Sequence, residues 1–342
     1  MKKWKGYQKG INLGGWFSQC DYTKERYDNF IREEDFAVIR SWGADHVRLP
    51  IDYNLLEETD GTPIEAGYER LEKVIGWCRA QGLNMVLDLH KTAGFSFDPG
   101  EKEAGFFDNE TYQQRFYRLW ENIARHFGHH ADMLAFELLN EITEKEYGEI
   151  WNQISHECIR RIRQYAPDTV ILVGGYYHNS AVAVKDIAAP YDDRIVFNFH
   201  CYEPLIFTHQ GAHWMPDMDP GFRIPVSASF GEMDDASHKM SAESCAGLDS
   251  WPADTTLTTE YFERFMEDAV RAAERNDVPL YCGEYGVIDC ARPEDALVWF
   301  SKIHGAFEKY GIGRAAWSYR QMDFGLSDAR MDGVREELLK VL

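Results

Sequence analysis

The chain has 342 residues, a formal net charge of -21, and 44% hydrophobic and 14% aromatic residues. That acidity excludes nucleic acid and anionic membrane surfaces as partners, because either would be repelled, and no window approaches a stretch of uncharged apolar residues long enough to span a bilayer. Seven cysteines (Cys20, Cys78, Cys158, Cys201, Cys245, Cys282 and Cys290) are scattered and lack a Cys-x-x-Cys pair, which points to reduced thiols rather than a zinc or redox motif.

Taken in order, Met1-Lys2-Lys3-Trp4-Lys5-Gly6 has basic residues without an apolar run behind them, so the expectation is a cytoplasmic protein, or a secreted one if a leader was removed. Gly10 to Gly15 (Gly-Ile-Asn-Leu-Gly-Gly) reads as a short strand closed by glycines, followed by a helical pattern from about Ile31 to Trp42. His46 to Pro50 is a second strand that the proline is expected to end. A helix around Ala66 to Gln81 leads to a third strand, Asn84 to His90.

Asn109 is placed to cap a helix whose apolar positions Tyr112, Phe116, Leu119, Ile123 and Phe127 recur every three or four residues. Leu134 to Glu141 is the fourth strand, an apolar run with an acid midway and Asn-Glu at its end. A helical pattern over Ile150 to Tyr165, a strand at Thr169 to Val173 ending in Gly174-Gly175, a short helix at Ala181 to Ala189 and a strand at Ile195 to Tyr202 follow. Residues 203–257 break the rhythm, being far longer than an ordinary strand-to-helix connection, and read as a lid-like insertion. A helix around Phe262 to Ala273, a strand at Pro279 to Glu284, a helix at Ala296 to Tyr310, a strand at Gly313 to Tyr319 and a last helix from about Met331 complete the chain.

Eight strands alternating with about eight helices predict an α/β chain folded as a (β/α)8 TIM barrel, one domain over residues 1–342 with the insertion at 203–257 inside it. A doubly wound sheet is the alternative. In the barrel, Arg48, His90, Asn140 with Glu141, His200 with Tyr202, Glu284 and Trp317 all lie at the C-terminal ends of their strands, where such enzymes keep their chemistry.

Two carboxylates acting on one glycosidic bond lie roughly 5 to 5.5 Å apart in the retaining geometry and about 6.5 to 9.5 Å apart in the inverting one. Glu137, four residues before Glu141, would be about 13 Å away on an extended strand, so it is expected to be a buried acid satisfied by polar neighbours. The partner of Glu141 is therefore sought on another strand, and Glu284, between Gly283 and Tyr285-Gly286, is preferred over Asp52, Asp88, Glu144, Glu203 and Asp323. Of those five, all but Asp88 lie past their strand ends, where solvation is the default.

Leu139-Asn140-Glu141, Cys282-Gly283-Glu284-Tyr285-Gly286, Arg48-Leu49-Pro50, Asp88-Leu89-His90 and His200-Cys201-Tyr202 together resemble glycoside hydrolase family 5, and within it the compact bacterial endoglucanases of the endoglucanase C type. The opening Gly-Ile-Asn-Leu-Gly-Gly-Trp and the insertion after the sixth strand extend the resemblance over nearly the whole chain. It implies retaining hydrolysis of a β-glucan, with Glu141 as acid/base and Glu284 as nucleophile. By the same resemblance Arg48 and Tyr202 hydrogen-bond the nucleophile and hold it ionised, Asn140 meets the sugar 2-hydroxyl, His90 and His200 line the subsite at the cleaved bond, and Trp317 stacks on the sugar. Lys91, where relatives often carry a second histidine, and Tyr285, where phenylalanine is common, depart from the pattern.

These roles carry physical expectations: a lowered pKa for Glu284 beside a guanidinium, a raised one for Glu141, and a bell-shaped pH profile. Trp214, Phe207, Phe222 and Trp251 in the insertion are candidate sugar platforms or a small core of the insertion, with Trp214 the foremost platform. The pairs His209/His213 and His126/His130 have helical metal-ligand spacing without a third ligand, so no metal is expected, and no cofactor. The substrate expected is a β-1,4 or mixed β-1,3-1,4 glucan and the protein a monomer. An exo-β-1,3-glucanase, β-glucosidase or β-mannanase on the same scaffold, and a non-catalytic carbohydrate-binding barrel, are the alternatives.

Overall fold

The computed structural model describes residues 1–98, 100–239 and 247–342; Cys245 and part of the insertion lie outside them. Among the described residues eight parallel strands close into a barrel: β1 (Lys9–Asn12), β2 (His46–Asp52), β3 (Asn84–Thr92), β4 (Leu134–Glu137), β5 (Val170–Val173), β6 (Ile195–Cys201), β7 (Leu280–Tyr285) and β8 (Gly313–Ala316). Each pairs with its neighbours in chain order, β8 returns to β1 and β2 pairs with β3, so the sheet is closed and the doubly wound alternative is excluded. A two-residue strand at Phe95–Ser96 folds back antiparallel on β3.

The helices around the strands are α1 (Lys24–Asn29), α2 (Glu33–Ser41), α3 (Glu65–Gln81), α4 (Glu110–Phe127), α5 (Gly148–Ile162), α6 (Phe230–Ser237), α7 (Thr259–Arg275) and α8 (Pro293–Tyr310); all but α1 and α6, for which no helix was expected, fall where the periodicity predicts them. Asn109 caps α4 by accepting from Thr111 N, and Phe116, Leu119, Trp120, Ile123 and Phe127 form its buried stripe. The segment after Ser180 is a 3-10 helix, Ala181–Asp186, rather than the longer helix expected, and the chain ends in a 3-10 turn at Ala329–Met331 and one helical turn at Arg335–Leu338.

Because alternate residues of a strand face the same way, the barrel interior is built in layers. At the N-terminal end Val86, Ala135, Leu172, Val196, Tyr281 and Ala315 form an apolar layer plugged by Trp4 and Tyr7, which stack at 3.8 Å. Two residues further along each strand the layer turns polar: Asn12, Arg48, Asp88, Glu137 and Asn198, all fully buried. Two residues beyond Asp88 and Asn198, His90 and His200 reach the mouth, where Trp317, just past the end of β8, lies beside the His90 ring.

Two expected strand ends differ. β2 runs through Pro50 to Asp52, because β1 is paired with β2 only as far as Asn12 opposite Arg48, so the proline lies where that neighbour has no ladder bond to offer it. β4 stops at Glu137; beyond it Asn140 N bonds to Leu89 O (3.0 Å) and Glu141 turns the chain at φ 39°, so the run to Glu141 is not extended.

Residues around 203–257 contribute Ile206, Phe207, Phe230, Met233, Leu248 and Leu257 to the same continuous core as the barrel helices. Phe207 is fully buried, and Trp251 packs against Phe230 and Tyr261, so both are core rings rather than exposed platforms.

Candidate active site

Arg48 is the hub beneath the site. Its guanidinium is bidentate to Glu137 (Nε to Oε2 2.7 Å, Nη2 to Oε1 2.9 Å), and it also reaches Asp88 (3.0 Å), Asn140 Oδ1 (2.9 Å), Asn12 Oδ1 (3.0 Å) and Glu284 Oε1 (2.7 Å). Glu137 receives a further bond from Asn198 Nδ2 at 2.7 Å, so it is the buried, satisfied acid that the strand spacing predicts. Burial pushes its carboxyl up and Arg48 pulls it down, with burial the larger effect, so its pKa is raised while donors converge on both oxygens.

Glu284 owes its position to a bulge. β6 and β7 are in register from Phe197 opposite Leu280 to Phe199 opposite Cys282, and then His200 faces Glu284, leaving Gly283 as the extra residue. The bulge moves Glu284 out of the strand's alternation and toward the mouth. Gly283 is wedged between Asn198 and His200, where a Cβ would stand 2.8 Å from Asn198 Oδ1 and 3.0 Å from His200 Nε2. Glu284 Oε1 then takes Arg48 Nη1 and Oε2 takes the Tyr202 hydroxyl at 2.9 Å. Burial and Glu284 itself push the Tyr202 phenol up, so Tyr202 stays an O–H donor.

Opposite, Glu141 accepts from His200 Nδ1 (2.7 Å to Oε1) and meets His178 Nδ1 (3.2 Å from Oε2). One carboxylate oxygen of Glu141, one of Glu284 and a ring nitrogen of His200 all lie within 4.8 Å of one another. The separation well above 10 Å that would have favoured a non-catalytic binder is therefore not found. The expected raised pKa of Glu141 is corrected: burial pushes the carboxyl up, but the hydrogen bonds from His178 and His200 outweigh it and hold the group well below the ordinary carboxylate range.

His90 sits on Asp88 (Nδ1 to Oδ2 2.6 Å); burial opposes its charged form, yet Asp88 outweighs that and raises its pKa. Trp317 lies parallel to the His90 ring, 5.9 Å away at 6°. Two buried atoms at this side of the mouth, His90 Nε2 and Asn140 Nδ2, have no hydrogen-bond partner among the described residues. Trp214 is 41% exposed and borders Phe324, which in turn touches Tyr202 and belongs to one apolar cluster with Trp317.

Two of the rival acids, Asp88 and Asp52, are otherwise engaged. Asp88 is shared by Arg48 and His90, and Asp52, buried rather than solvated, is bound by the Tyr22 hydroxyl at 2.6 Å. Lys91 is buried too, donating to Tyr22 Oη at 2.7 Å, and Tyr285 points outward against Trp299, Phe300 and Phe307 of α8, away from the carboxylates. His209 packs among Tyr202, Trp214 and Phe324, while His126 stacks on Tyr68 and His130 Nε2 is hydrogen-bonded to Glu72 Oε1 at 2.9 Å, so neither pair acts as a unit.

Sequence reasoning missed Asn12, Asn198, His178 and Asn179. Asn198 lies two residues before His200 on the same strand face, and Asn12 ends β1, a strand on which no site position was named. His178 and Asn179 follow Gly174-Gly175 in three consecutive residues with positive φ (Tyr177 51°, His178 54°, Asn179 56°), a strained turn of the kind that clusters at functional sites. The polar Tyr-Tyr-His-Asn run after a strand end was the available signal.

The sequence matches the family model described as Cellulase (glycosyl hydrolase family 5) over residues 5–323. It is 52% identical to Cellodextrinase A of Ruminococcus flavefaciens over 314 residues, 92% of this chain and 86% of that one. It is 34% identical to Endoglucanase C of Acetivibrio thermocellus over 339 residues, 98% of each. In fold it is similar to Cel5A of Thermotoga maritima solved with cellobiose, with a TM-score of 0.78 at 22% identity over 98% of this chain and 97% of that one. A closed eight-stranded barrel with paired glutamates at its mouth and a family match over nearly its whole length place this chain in glycosyl hydrolase family 5, the cellulase family.

Proposed function

We propose that the chain cleaves β-1,4-linked glucans, short cello-oligosaccharides foremost, with Glu284 as nucleophile and Glu141 as acid/base. Membership of the family makes it a retaining β-glycoside hydrolase of cellulase type. The observation that carries the assignment of the two glutamates is the approach of their carboxylate oxygens within 4.8 Å, the close spacing of the retaining geometry. The 52% identity to a cellodextrinase supports the preference for short chains.

In the first half-reaction a Glu284 oxygen attacks the anomeric carbon while Glu141 gives its proton to the departing oxygen. In the second, water attacks the same carbon, its proton passes to Glu141 and the bond to Glu284 breaks. Arg48 and Tyr202, one on each oxygen of Glu284, fix the direction of attack. Asn140, its oxygen tied to Arg48, aims its amide nitrogen at the sugar hydroxyl beside the reacting carbon, and His90 Nε2 meets a second hydroxyl. Trp317 and His200 wall this subsite, and Trp214 carries a more distant glucose ring on its exposed face.

Glu284→Gln should abolish turnover and leave oligosaccharide binding largely intact by calorimetry; an active variant would overturn the assignment. Product analysis on β-1,4, β-1,3 and mixed-linkage glucans and on mannan decides the linkage, and release of cellobiose and glucose from cellotetraose, with little action on long polymer, is the expected pattern.

A further inference from the structure

The two oxygens of Glu141 are held unequally. Oε1 takes the 2.7 Å bond from His200, whose side chain is 1% exposed, lies in the β6 ladder beside Glu284 and is backed by Gly283. The other ring nitrogen of His200 faces Asn179 Nδ2 at 3.5 Å, a group that only donates, so the His200 proton sits on Nδ1, toward Glu141. Oε2 meets His178 at the longer 3.2 Å, and the His178 side chain is 52% exposed.

Both contacts come from one device. Tyr177, His178 and Asn179 form the left-handed turn, and its backbone is tied directly to the segment that follows Glu141, Tyr177 N to Thr143 O at 3.1 Å and His178 N to Ile142 O at 3.0 Å. Gly174 makes room for Asn179, whose Oδ1 would lie 2.2 Å from a Cβ there. The turn therefore places His178 on one oxygen of Glu141 and, through Asn179, orients the histidine on the other.

An acid/base must present one oxygen to the leaving group with a proton on it, so one of these two hydrogen bonds has to yield. His200 is buried and held at 2.7 Å, whereas the His178 contact is the longer, at 3.2 Å, and the more exposed. We propose that His178 is the positioning residue for Glu141, holding Oε2 as the proton-carrying oxygen while His200 anchors Oε1. This rests on the reading of Glu141 as the acid/base.

The proton balance is closed. With the proton on Oε2 aimed at the glycosidic oxygen, the Nδ1–H of His178 has let go of Oε2; once Oε2 has given its proton to that oxygen, Nδ1–H donates to the carboxylate. Water then attacks the glycosyl carbon, its proton returns to Oε2, and the contact with Nδ1–H lengthens again. The other ionisable groups facing Glu141 are His200 and Tyr202 from β6 and its end, Glu284 from β7, and His209, which also faces His178.

The test uses His178→Gly, which removes the ring and suits a positive φ, and His178→Asn, which keeps a donor near the Nδ1 position and also tolerates that backbone. In His178→Gly the basic limb of the kcat/KM profile moves to higher pH by about one unit, because a donor to the ionised carboxylate is gone. Turnover of 2,4-dinitrophenyl β-cellobioside, whose departure needs no acid and whose rate is set by the second half-reaction, falls about tenfold. His178→Asn restores most of both. An unmoved basic limb together with unchanged dinitrophenyl cellobioside turnover in His178→Gly would overturn the proposal. Glu141→Ala separates this from failure of the underlying assignment: if Glu141 is the acid/base, azide accelerates that variant and yields a β-glycosyl azide, whatever His178 does.

Discussion

Glu137→Gln tests the polar layer beneath the site with a change of one atom. The three bonds to Glu137 are all from donors, Arg48 Nη2 (2.9 Å) and Asn198 Nδ2 (2.7 Å) on Oε1 and Arg48 Nε (2.7 Å) on Oε2. A glutamine keeps its oxygen where two donors converge and must then turn its amide nitrogen against Arg48 Nε. The variant loses a charge-assisted bond, about 1.5–3 kcal/mol, and leaves a buried donor unsatisfied, about 1–3 kcal/mol. The result, about 4 kcal/mol, agrees with the cost of breaking a buried ion pair, about 3–5 kcal/mol. With an unfolding entropy of about 2.1 cal/mol/K per residue over 342 residues, close to 0.7 kcal/mol/K, the melting temperature should fall by about 6 °C. Differential scanning calorimetry reads this directly, and kcat/KM should drop at least about tenfold as Arg48 relaxes under Glu284. A melting temperature within about 1 °C of the parent would refute the reasoning, since it would mean that burial had already neutralised Glu137.

Gly283→Ala puts a methyl group against Asn198 and His200, both locked in place, so it should cost about 1–3 kcal/mol of stability and most of the activity, checked by thermal melts and turnover of an aryl cellobioside. Wild-type activity in that variant would show that the bulge has slack. Burial lowers the His209 pKa to about 4, so the folded protein disfavours its protonation. The unfolded chain takes up that proton below about pH 6.5, so stability should decline between roughly pH 6.5 and 4 as pH falls. His209→Phe should flatten the decline in urea titrations across that window, and an unchanged slope would assign it elsewhere.

The barrel was legible because parallel strands buried on both faces are continuous apolar runs and their polar ends punctuate them. Of the eight site positions named from strand ends, seven gather around the mouth and Arg48 lies in the layer beneath, while Glu284 and Glu141 get there through a bulge and a positive-φ turn rather than through a period of two. The layer below was not legible: Asn12 and Asn198 look like ordinary strand residues until the strands are in register, and Glu137 was placed by distance without showing that it shares Arg48 with Glu284. The expectation of a raised pKa for Glu141 came from the demands of the reaction, whereas the free protein answers to its nearest donors, one of them on a left-handed turn that no helical or strand periodicity announces. Pro50 misled for a related reason, since whether a proline ends a strand depends on how long its neighbour is.

Arg48 has one further implication, for engineering. Buried ion clusters in many proteins are tempting targets for thermostabilisation, because a well-packed apolar set of the same volume is often as stable or more so. Here the same guanidinium that binds Asp88 and Glu137 in the interior also grips Glu284 at the mouth, so the interior cannot be made oily without letting go of the reacting group. Gains in heat resistance for this enzyme are better sought on the helical shell, where loops, caps and surface charges can be altered without reaching Arg48.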